Sequence, residues 1–193
     1  MGYEKLRSQK TIEMAETALM SAVLCIIAPF AIPVPLSPVP LSLATFAVYL
    51  AAVLLGTKKG VLCVFVYLLL GLVGLPVFSG FSGGIGVLLG PTGGYLMGYL
   101  PCALLVGWLK DIRALGKVFG KYRFVRLVFA MLSGTLVCYL IGTVWFMTVM
   151  SGSYTFGQAL LVCVVPYLFL DLVKILAVAM IAKPVGQVIR KQR

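Results

Sequence analysis

The sequence predicts an all-α membrane protein: a single integral domain over residues 1–193, with six transmembrane helices and both termini in the cytoplasm. Hydrophobic residues make up 62% of the chain, charged residues make up 11%, and the mean hydropathy is +1.11. A soluble domain cannot bury that much apolar surface, so the composition indicates a lipid environment. The lengths of the apolar runs and the placement of the basic residues predict the number and direction of the helices.

Six apolar runs are candidates for membrane spans. A helix needs roughly 17–25 residues to cross a hydrocarbon core about 30 Å thick. The candidate spans are 14–32, 41–56, 61–75, 91–109, 124–150 and 155–182. The second and third are short for a full crossing. The first run starts beside Glu13 and Glu16 and leads into further spans, which is not the pattern of a cleavable signal peptide.

Basic residues occupy alternate connections between these runs. Fifteen of the 16 fall on one predicted side: Lys5, Arg7, Lys10, Lys58, Lys59, Lys110, Arg113, Lys117, Lys121, Arg123, Arg126, Lys183, Arg190, Lys191 and Arg193. The other connections, 33–40, 76–90 and 151–154, contain no Lys or Arg. This is the positive-inside pattern. The net charge of +11 therefore marks orientation and contact with anionic lipid headgroups, and its spread over four cytoplasmic segments does not indicate nucleic-acid binding.

Two of the predicted outer loops have unusual compositions. The first has four prolines between Pro33 and Pro40, so we expect it to be stiff and extended. The second, 74–94, has eight glycines in 21 residues but is otherwise apolar. A flexible connector is one interpretation, but the apolar content favours a packed lid. We expect three lid glycines to include positions with positive φ or with no room for a Cβ: Gly83, Gly84 and Gly86.

Two opposite charges interrupt the last apolar run. Counted from Lys183 at about 1.5 Å per residue, Asp171 lies roughly 18 Å deep and Lys174 roughly 14 Å deep, near the membrane centre. The i, i+3 spacing places both on one helix face. A charge at that depth costs at least ~2.5–3.5 kcal/mol, so the pair indicates a functional site. The alternative is a structural ion pair that neutralises itself or ties helices together.

Other chemistry is sparse in this chain. It has no histidine, and its cysteines fall in apolar runs, where we expect small buried hydrophobes: Cys25, Cys63, Cys102, Cys138 and Cys163. No metal site or cofactor is predicted. The glycine-rich loop lacks the G-x-x-x-x-G-K-[ST] pattern, so ATP binding is not expected. Without paired carboxylates or a nucleophile–histidine set, the sequence does not predict an enzyme.

Two classes of function remain open on these residues. One is a membrane binding protein for an apolar solute with a polar head. The other is an ion-coupled secondary carrier for a small vitamin or other solute, using Asp171 as the protonating group beside Lys174. Such carriers often contain two similar halves, and no internal repeat is evident in the sequence.

Three stretches carry a resemblance to a known family. FSGGIGVLLGPTGGYLMGY (81–99) closely resembles the signature of the BioY family, the substrate-binding (S) components of biotin energy-coupling factor (ECF) transporters. SPVPLSLATFAVYLAAVLLG (37–56) resembles the family's Pro-Val-Pro start of the second helix, and PYLFLDLVKILAV (166–178) resembles its last helix with the Asp-x-x-Lys pair. The family's usual Thr-x-Gln-Thr reads Ser42-Leu43-Ala44-Thr45 in this chain, so one amide side chain is missing.

The resemblance implies the ECF S-component fold, with six membrane helices, in a prokaryotic plasma membrane. It implies high-affinity binding of biotin, as the transported ligand, from the outer side. The implied protein partners are a transmembrane coupling subunit and two ATPase subunits, which supply the energy. In the family, an Ala-x-x-x-Ala stripe on the first helix docks the coupling subunit, and Ala18 and Ala22 match it. On the residues alone, these alanines also fit ordinary packing inside the chain.

The resemblance also implies roles in binding. Asp171 is expected to accept a ureido N–H of biotin, and Lys174 either to donate to the ureido carbonyl or to pair with the carboxylate. The expected wall below the lid is Thr92, Gly93, Gly94 and Tyr95. Tyr95 is the candidate for ring stacking, and Tyr167 and Thr45 are weaker candidates. For both tyrosines the alternative is an interfacial aromatic anchor.

Overall fold

The computed structural model describes residues 2–33, 39–112, 122–151 and 154–191, with side-chain surroundings for 9–33, 39–112, 122–151, 154–182 and 184–185. The described chain is almost entirely helical, with one two-stranded hairpin. In order, its elements are α1 (Gly2–Ile27), β1 (Ala31–Ile32), β2 (Leu41–Ser42), α2 (Ala44–Leu55), α3 (Thr57–Leu72), α4 (Ile85–Leu89), α5 (Gly93–Asp111), α6 (Arg123–Val149), α7 (Phe156–Cys163) and α8 (Val165–Lys191). Most of the proline-rich loop, 34–38, lies outside the described residues.

Each predicted span coincides with helix, although six crossings stay a prediction. Two described helices are long and apolar enough to cross a membrane, Arg123–Val149 and Val165–Ala182. By contrast, α2 has only 12 residues and is about 18 Å long. The second span is therefore as short as the sequence indicated.

The last predicted span, 155–182, is not one helix. It divides at Val164 into the short helix α7 and the long helix α8. Pro166 follows the division, in the first turn of α8, where its missing N–H has no intrahelical partner to lose. Because α8 begins at Val165, Asp171 lies only six residues, about 9 Å, from its outer end. The 12 residues from Asp171 to Lys183 stay within one helix, so the depth expected for the pair remains a prediction.

The outward surface of the bundle is apolar. On α6, Leu136, Leu140 and Val144 are 61%, 53% and 57% exposed, and they recur every four residues along one side. The opposite side of α6 buries Met131, Cys138 and other residues against the bundle. A helix that is apolar on its exposed face as well as its buried face fits a lipid environment.

Small residues let α5 and α6 pack closely, and this pair forms the most extensive helix contact of the described chain. A Cβ at Gly134 would lie 2.6 Å from Val106, and one at Gly142 would lie 2.2 Å from the ring of Tyr95. Glycine at Gly142 therefore makes the space into which the Tyr95 ring fits. This packing sets the position of one wall of the cavity described next.

Candidate ligand-binding site

A small cavity of about 50 Å³ lies where α2, α5 and α8 begin, at the predicted outer side. Five of the residues predicted for the site line it: Asp171, Lys174, Thr45, Tyr95 and Tyr167. They come from three separate helices, so only the tertiary fold brings them together. Hydrophobic side chains otherwise dominate the surrounding core.

The charged pair lies at one end of this cavity and is buried. Asp171 is 5% exposed and Lys174 is 8% exposed, and their Oδ1 and Nζ atoms are 2.8 Å apart. Both side chains come from one face of α8, as the i, i+3 spacing predicts. At this burial neither charge can be solvated by water, so each depends on its protein partners.

Thr45 joins the pair to α2. Its hydroxyl donates to Asp171 Oδ1 over 3.3 Å and accepts from Lys174 Nζ over 3.1 Å. Thr45 was predicted only as a weaker candidate, but it is the only side chain among the described residues that bonds to both charges. A partly buried hydroxyl that both donates and accepts in this way helps to fix the geometry of the site.

The hairpin supplies a backbone ligand to the lysine. The carbonyl of Ser42 accepts from Lys174 Nζ over 2.7 Å. Ser42 pairs with Ala31 across the hairpin, and its side-chain hydroxyl donates to Ala28 O over 2.9 Å and accepts from Ala44 N over 3.0 Å. Ser42, which replaces the usual threonine of the pattern, therefore keeps a hydroxyl that forms hydrogen bonds. Ala44, which replaces the usual glutamine, provides only a buried methyl group.

Tyrosines form much of the remaining wall. Tyr139 of α6 donates to Asp171 Oδ2 over 2.5 Å. The hydroxyl of Tyr95 lies 3.3 Å from Thr143 Oγ1, and that of Tyr167 donates to Val39 O. Both Tyr95 and Tyr167 are buried against the cavity, which does not fit the alternative of an interfacial anchor for either.

Three predicted wall residues do not line this cavity. Thr92 precedes α5, where its side chain makes no capping hydrogen bond. Gly93 lies against α4, because a Cβ there would be 1.7 Å from Leu88 O. Gly94 faces α6, where a Cβ would be 2.2 Å from Trp145 Cβ. The two glycines allow close packing of the backbone, and only the next residue, Tyr95, turns toward the cavity.

Several lining residues were missed by the sequence analysis: Ser42, Tyr99, Cys138, Tyr139 and Cys163. A signal for Tyr139 was present in α6, where small or polar residues recur at Thr135, Cys138 and Gly142 on the buried side. Cys138 and Cys163 are buried as expected, and four of the five cysteines are buried while Cys25 is partly buried. The role of a backbone carbonyl, as at Ser42, has no sequence signal.

The glycine-rich outer loop is packed rather than extended into solvent. Phe78 is 1% exposed, and its ring meets Tyr67 edge-to-face with centroids 5.4 Å apart. Gly71 makes room for that ring, since a Cβ there would lie 2.0 Å from it. The loop is also held through Gly80 N to Pro29 O at 2.9 Å and Gly84 N to Gly71 O at 2.7 Å.

The three lid glycines differ in what they require. Gly84 has φ +92°, in the left-handed region that L side chains rarely adopt. A Cβ at Gly83 would lie 2.3 Å from Leu75 O. Gly86 has open space and no positive φ, so the expected conformational demand does not apply there.

The alanine stripe lies away from the cavity. Ala18 and Ala22 are exposed on α1, and Ala18 lines an open groove between α1 and α3. Packing inside the described chain therefore does not account for the stripe. Lys59 of α3 also lines this groove, and it forms ion pairs of 3.2 Å to Glu13 and 3.3 Å to Glu16.

The comparisons with known proteins identify a family. The family model described as "BioY family" matches residues 4–191. "Probable biotin transporter BioY" of Pyrococcus horikoshii is 40% identical over 79% of this chain and 83% of its own length. "Biotin transporter BioY" of Thermotoga maritima is 38% identical over 78% and 83%.

A solved structure gives the same result for the fold. The crystal structure of the S-component for biotin from an ECF-type ABC transporter superposes with a TM-score of 0.82 at 28% identity, over 93% of each chain. The chain belongs to the BioY family and has the fold of an ECF-type S-component.

Proposed function

We propose that this chain is the biotin-binding S component of an ECF-type uptake transporter in the plasma membrane. It crosses the membrane six times, binds biotin from the outer side, and depends on a separate coupling subunit and two ATPase subunits for energy. The observation that carries the proposal is the buried Asp171–Lys174 pair, with its hydroxyl partners, in an otherwise apolar cavity of a BioY-family chain.

Biotin matches this cavity chemically. Its fused rings and side chain are apolar and suit walls of Tyr95, Tyr99 and Tyr167. Its ureido group has two N–H donors, and the carboxylate of Asp171 is a strong acceptor for one of them. We assign Asp171, Tyr95 and Tyr139 as ligand contacts, with Tyr167 and Thr45 supporting them.

Binding requires the walls of the cavity to move. Ligand sites usually enclose roughly 300–1,000 Å³, whereas this cavity holds about 50 Å³. Val39 and Pro40 line the cavity just before β2, so theirs is the segment that we expect to open. No described residue of 74–94 lines this cavity, so the lid role of the glycine-rich loop remains a prediction, which the glycine variants below test.

The assignment is tested by binding of labelled biotin to the purified chain in detergent, with thiamine and riboflavin as competitors. We expect saturable binding that unlabelled biotin displaces and the other two vitamins do not. Absence of saturable biotin binding would contradict the proposal. Uptake that requires a proton gradient and no ATPase subunits would instead support the ion-coupled carrier.

The lid is tested by replacing glycines that differ in their surroundings. Gly83→Ala forces a contact with Leu75 O, and Gly84→Ala places an L side chain at positive φ, so each should displace the loop. We expect each to slow biotin association or weaken affinity by roughly tenfold, since strain of about 1–3 kcal/mol is involved. Gly86→Ala is the matched control and should bind like the wild type. Unchanged rate and affinity in a Gly83→Ala/Gly84→Ala double variant would show that the loop is only a connector.

A further inference from the structure

The connection between α5 and α6, with the helix ends beside it, carries a large excess of positive charge. Residues 110–126 contain six Lys or Arg residues and one acidic residue, Asp111. The chain has four other acidic residues, and three of them, Glu13, Glu16 and Asp171, pair with lysines outside this range. Most of the counter-charge for this end of the bundle must therefore come from outside the chain.

The one carboxylate in this range is already engaged by Lys110. Lys110 Nζ lies 3.5 Å from Asp111 Oδ1 and donates to Val53 O, near the end of α2, over 2.9 Å. An ammonium group has three N–H donors, so one donor of Lys110 has no acceptor among the described residues. The charges of Arg123 and Arg126 both act on Lys110, which places the three cations in one cluster.

Arg126 is the cation of this cluster that lies deepest in the bundle. It is one turn inside α6 and only partly exposed, and its Nε atom is buried without a hydrogen-bond partner in the described part of the chain. A charged donor that is removed from water and given no acceptor destabilises the folded state. An anion bound to this guanidinium would therefore stabilise the protein.

Exposed aromatic side chains indicate that the cluster lies at the membrane–water interface. Trp108, two residues before Lys110, is 57% exposed. Tyr122, four residues before Arg126, is 71% exposed. Trp and Tyr are enriched where lipid headgroups meet the hydrocarbon core. Phe129, one turn farther along α6, is 47% exposed, so the cluster adjoins an apolar surface.

We propose that Arg126, Arg123 and Lys110 form a binding site for the phosphate of an anionic phospholipid at the cytoplasmic face of the protein. Guanidinium groups donate to phosphate through two parallel N–H bonds, and the remaining donor of Lys110 adds a further contact. The acyl chains of this lipid lie along the exposed apolar side of α6. The proposal takes its orientation in the membrane from the function proposed above. An acidic segment of a partner protein would meet the same charges, but the exposed aromatic and apolar side chains beside them favour a lipid.

Tryptophan fluorescence tests the site, because the chain has two tryptophans, which lie near opposite ends of the bundle. Trp108 is beside the cluster, whereas Trp145 donates to Gly90 O near the glycine-rich outer loop. The full chain is reconstituted in phosphatidylcholine vesicles that contain brominated phosphatidylglycerol, whose bromine atoms quench a neighbouring indole. Trp145→Phe leaves Trp108 as the reporter, and Trp108→Phe leaves Trp145 as the control reporter.

We expect brominated phosphatidylglycerol to quench Trp108 more than equally brominated phosphatidylcholine does, and the two lipids to quench Trp145 equally. Arg126→Gln should reduce the relative affinity for the anionic lipid by roughly fivefold, since a basic side chain near the surface contributes about 1 kcal/mol. Arg123→Gln should act in the same direction, and because Arg123 is exposed it provides the test even if Arg126→Gln does not fold. Lys10→Gln removes the same charge from an exposed position on α1, so it is the matched control and should leave the preference unchanged.

Two results of the quenching measurement would overturn the proposal. Equal quenching of Trp108 by the two lipids would show that no anionic lipid is selected. An equal loss of preference in Lys10→Gln and Arg126→Gln would show diffuse attraction to the whole basic surface instead of a site.

Two further measurements separate a lipid from other anions. If inorganic phosphate removed the preference beyond the effect of potassium chloride at the same ionic strength, a free anion would be the ligand. If Arg126→Gln left the quenching unchanged but abolished co-purification of the partner subunits, the cluster would bind a protein. Either result would overturn the lipid site. The lipid measurement requires no biotin, so absence of biotin binding with intact lipid selection would contradict only the function proposed above.

Discussion

Asp171→Asn is expected to weaken biotin binding by two to four orders of magnitude while the protein still inserts into the membrane. The substitution keeps the side-chain shape but removes the charged acceptor and leaves Lys174 buried without its counter-ion. Breaking a buried pair by removing one partner commonly costs ~3–5 kcal/mol, and each 1.4 kcal/mol is about tenfold in affinity. Lys174→Met should have a comparable effect, because it leaves Asp171 uncompensated.

The measurement is titration of labelled biotin, with thermal unfolding of each purified variant recorded beside it. Asp111→Asn is the matched control, because Asp111 is a carboxylate that is largely exposed beside Lys110 and far from the cavity. The double variant Asp171→Asn/Lys174→Met separates stability from recognition. It removes both charges, so it should recover thermal stability without recovering affinity.

A purely structural pair would behave differently. In that case the double variant would recover affinity along with stability, since no ligand contact would have been lost. Near-wild-type affinity in both single variants would lead to the same conclusion. Either result would move the ligand contacts to the tyrosines and leave the charges as a tie between α8 and the start of α2.

The predictable part of the site was the part that lies within one helix. Asp171 and Lys174 are three residues apart, so helical geometry alone brings them together, and the cost of a charge in lipid indicated a function. Tyr139 could not be placed with the same certainty, because it comes from α6 and its neighbours define only a buried side. The Ser42 carbonyl could not be found at all, since any residue at that position has a carbonyl and only the fold directs it.

The fold, like the site, has parts that the sequence predicted and parts that it did not. Hydropathy and charge predicted where the long apolar helices lie, because lipid imposes both. The division of the last span at Val164 depends on one proline and on the packing of a short helix. A mean hydropathy over residues 155–182 therefore does not reveal it. Gly94 does not line the cavity, and the sequence could not show this for a related reason. A glycine serves close helix packing and close ligand approach equally well, and the sequence does not say which neighbour it faces.

Replacing both Ala18 and Ala22 with Trp is expected to abolish uptake while the purified protein keeps its affinity for biotin. Ala18 and Ala22 are exposed on α1, and the hydroxyls beside them are satisfied within the helix, Thr17 on Glu13 O at 2.8 Å and Ser21 on Thr17 O at 2.9 Å. The stripe is therefore small, apolar and smooth, as close helix–helix docking in a membrane requires.

Distance separates this surface from the ligand cavity. Ala18 lies nine residues, about 13 Å, before the end of α1 at Ile27, whereas the cavity lies beyond that end, beside the hairpin and the first turns of α2 and α8. Lys59 holds α3 to α1 beside the groove through its ion pairs to Glu13 and Glu16. An indole at Ala18 or Ala22 should therefore project outward rather than displace α3. We therefore expect loss of the complex with the coupling subunit and no loss of binding.

The assay is co-purification with the coupling and ATPase subunits, ATP-dependent biotin uptake, and biotin titration of the isolated chain. Leu136→Trp is the matched control, because Leu136 is 61% exposed on α6 and should tolerate an indole in lipid with normal uptake. If Ala18→Trp/Ala22→Trp reduced affinity as much as uptake, the stripe would be part of the packing that shapes the cavity. If uptake and complex formation both persisted, the coupling subunit would dock on another face, and the exposed alanines of α1 would face only lipid.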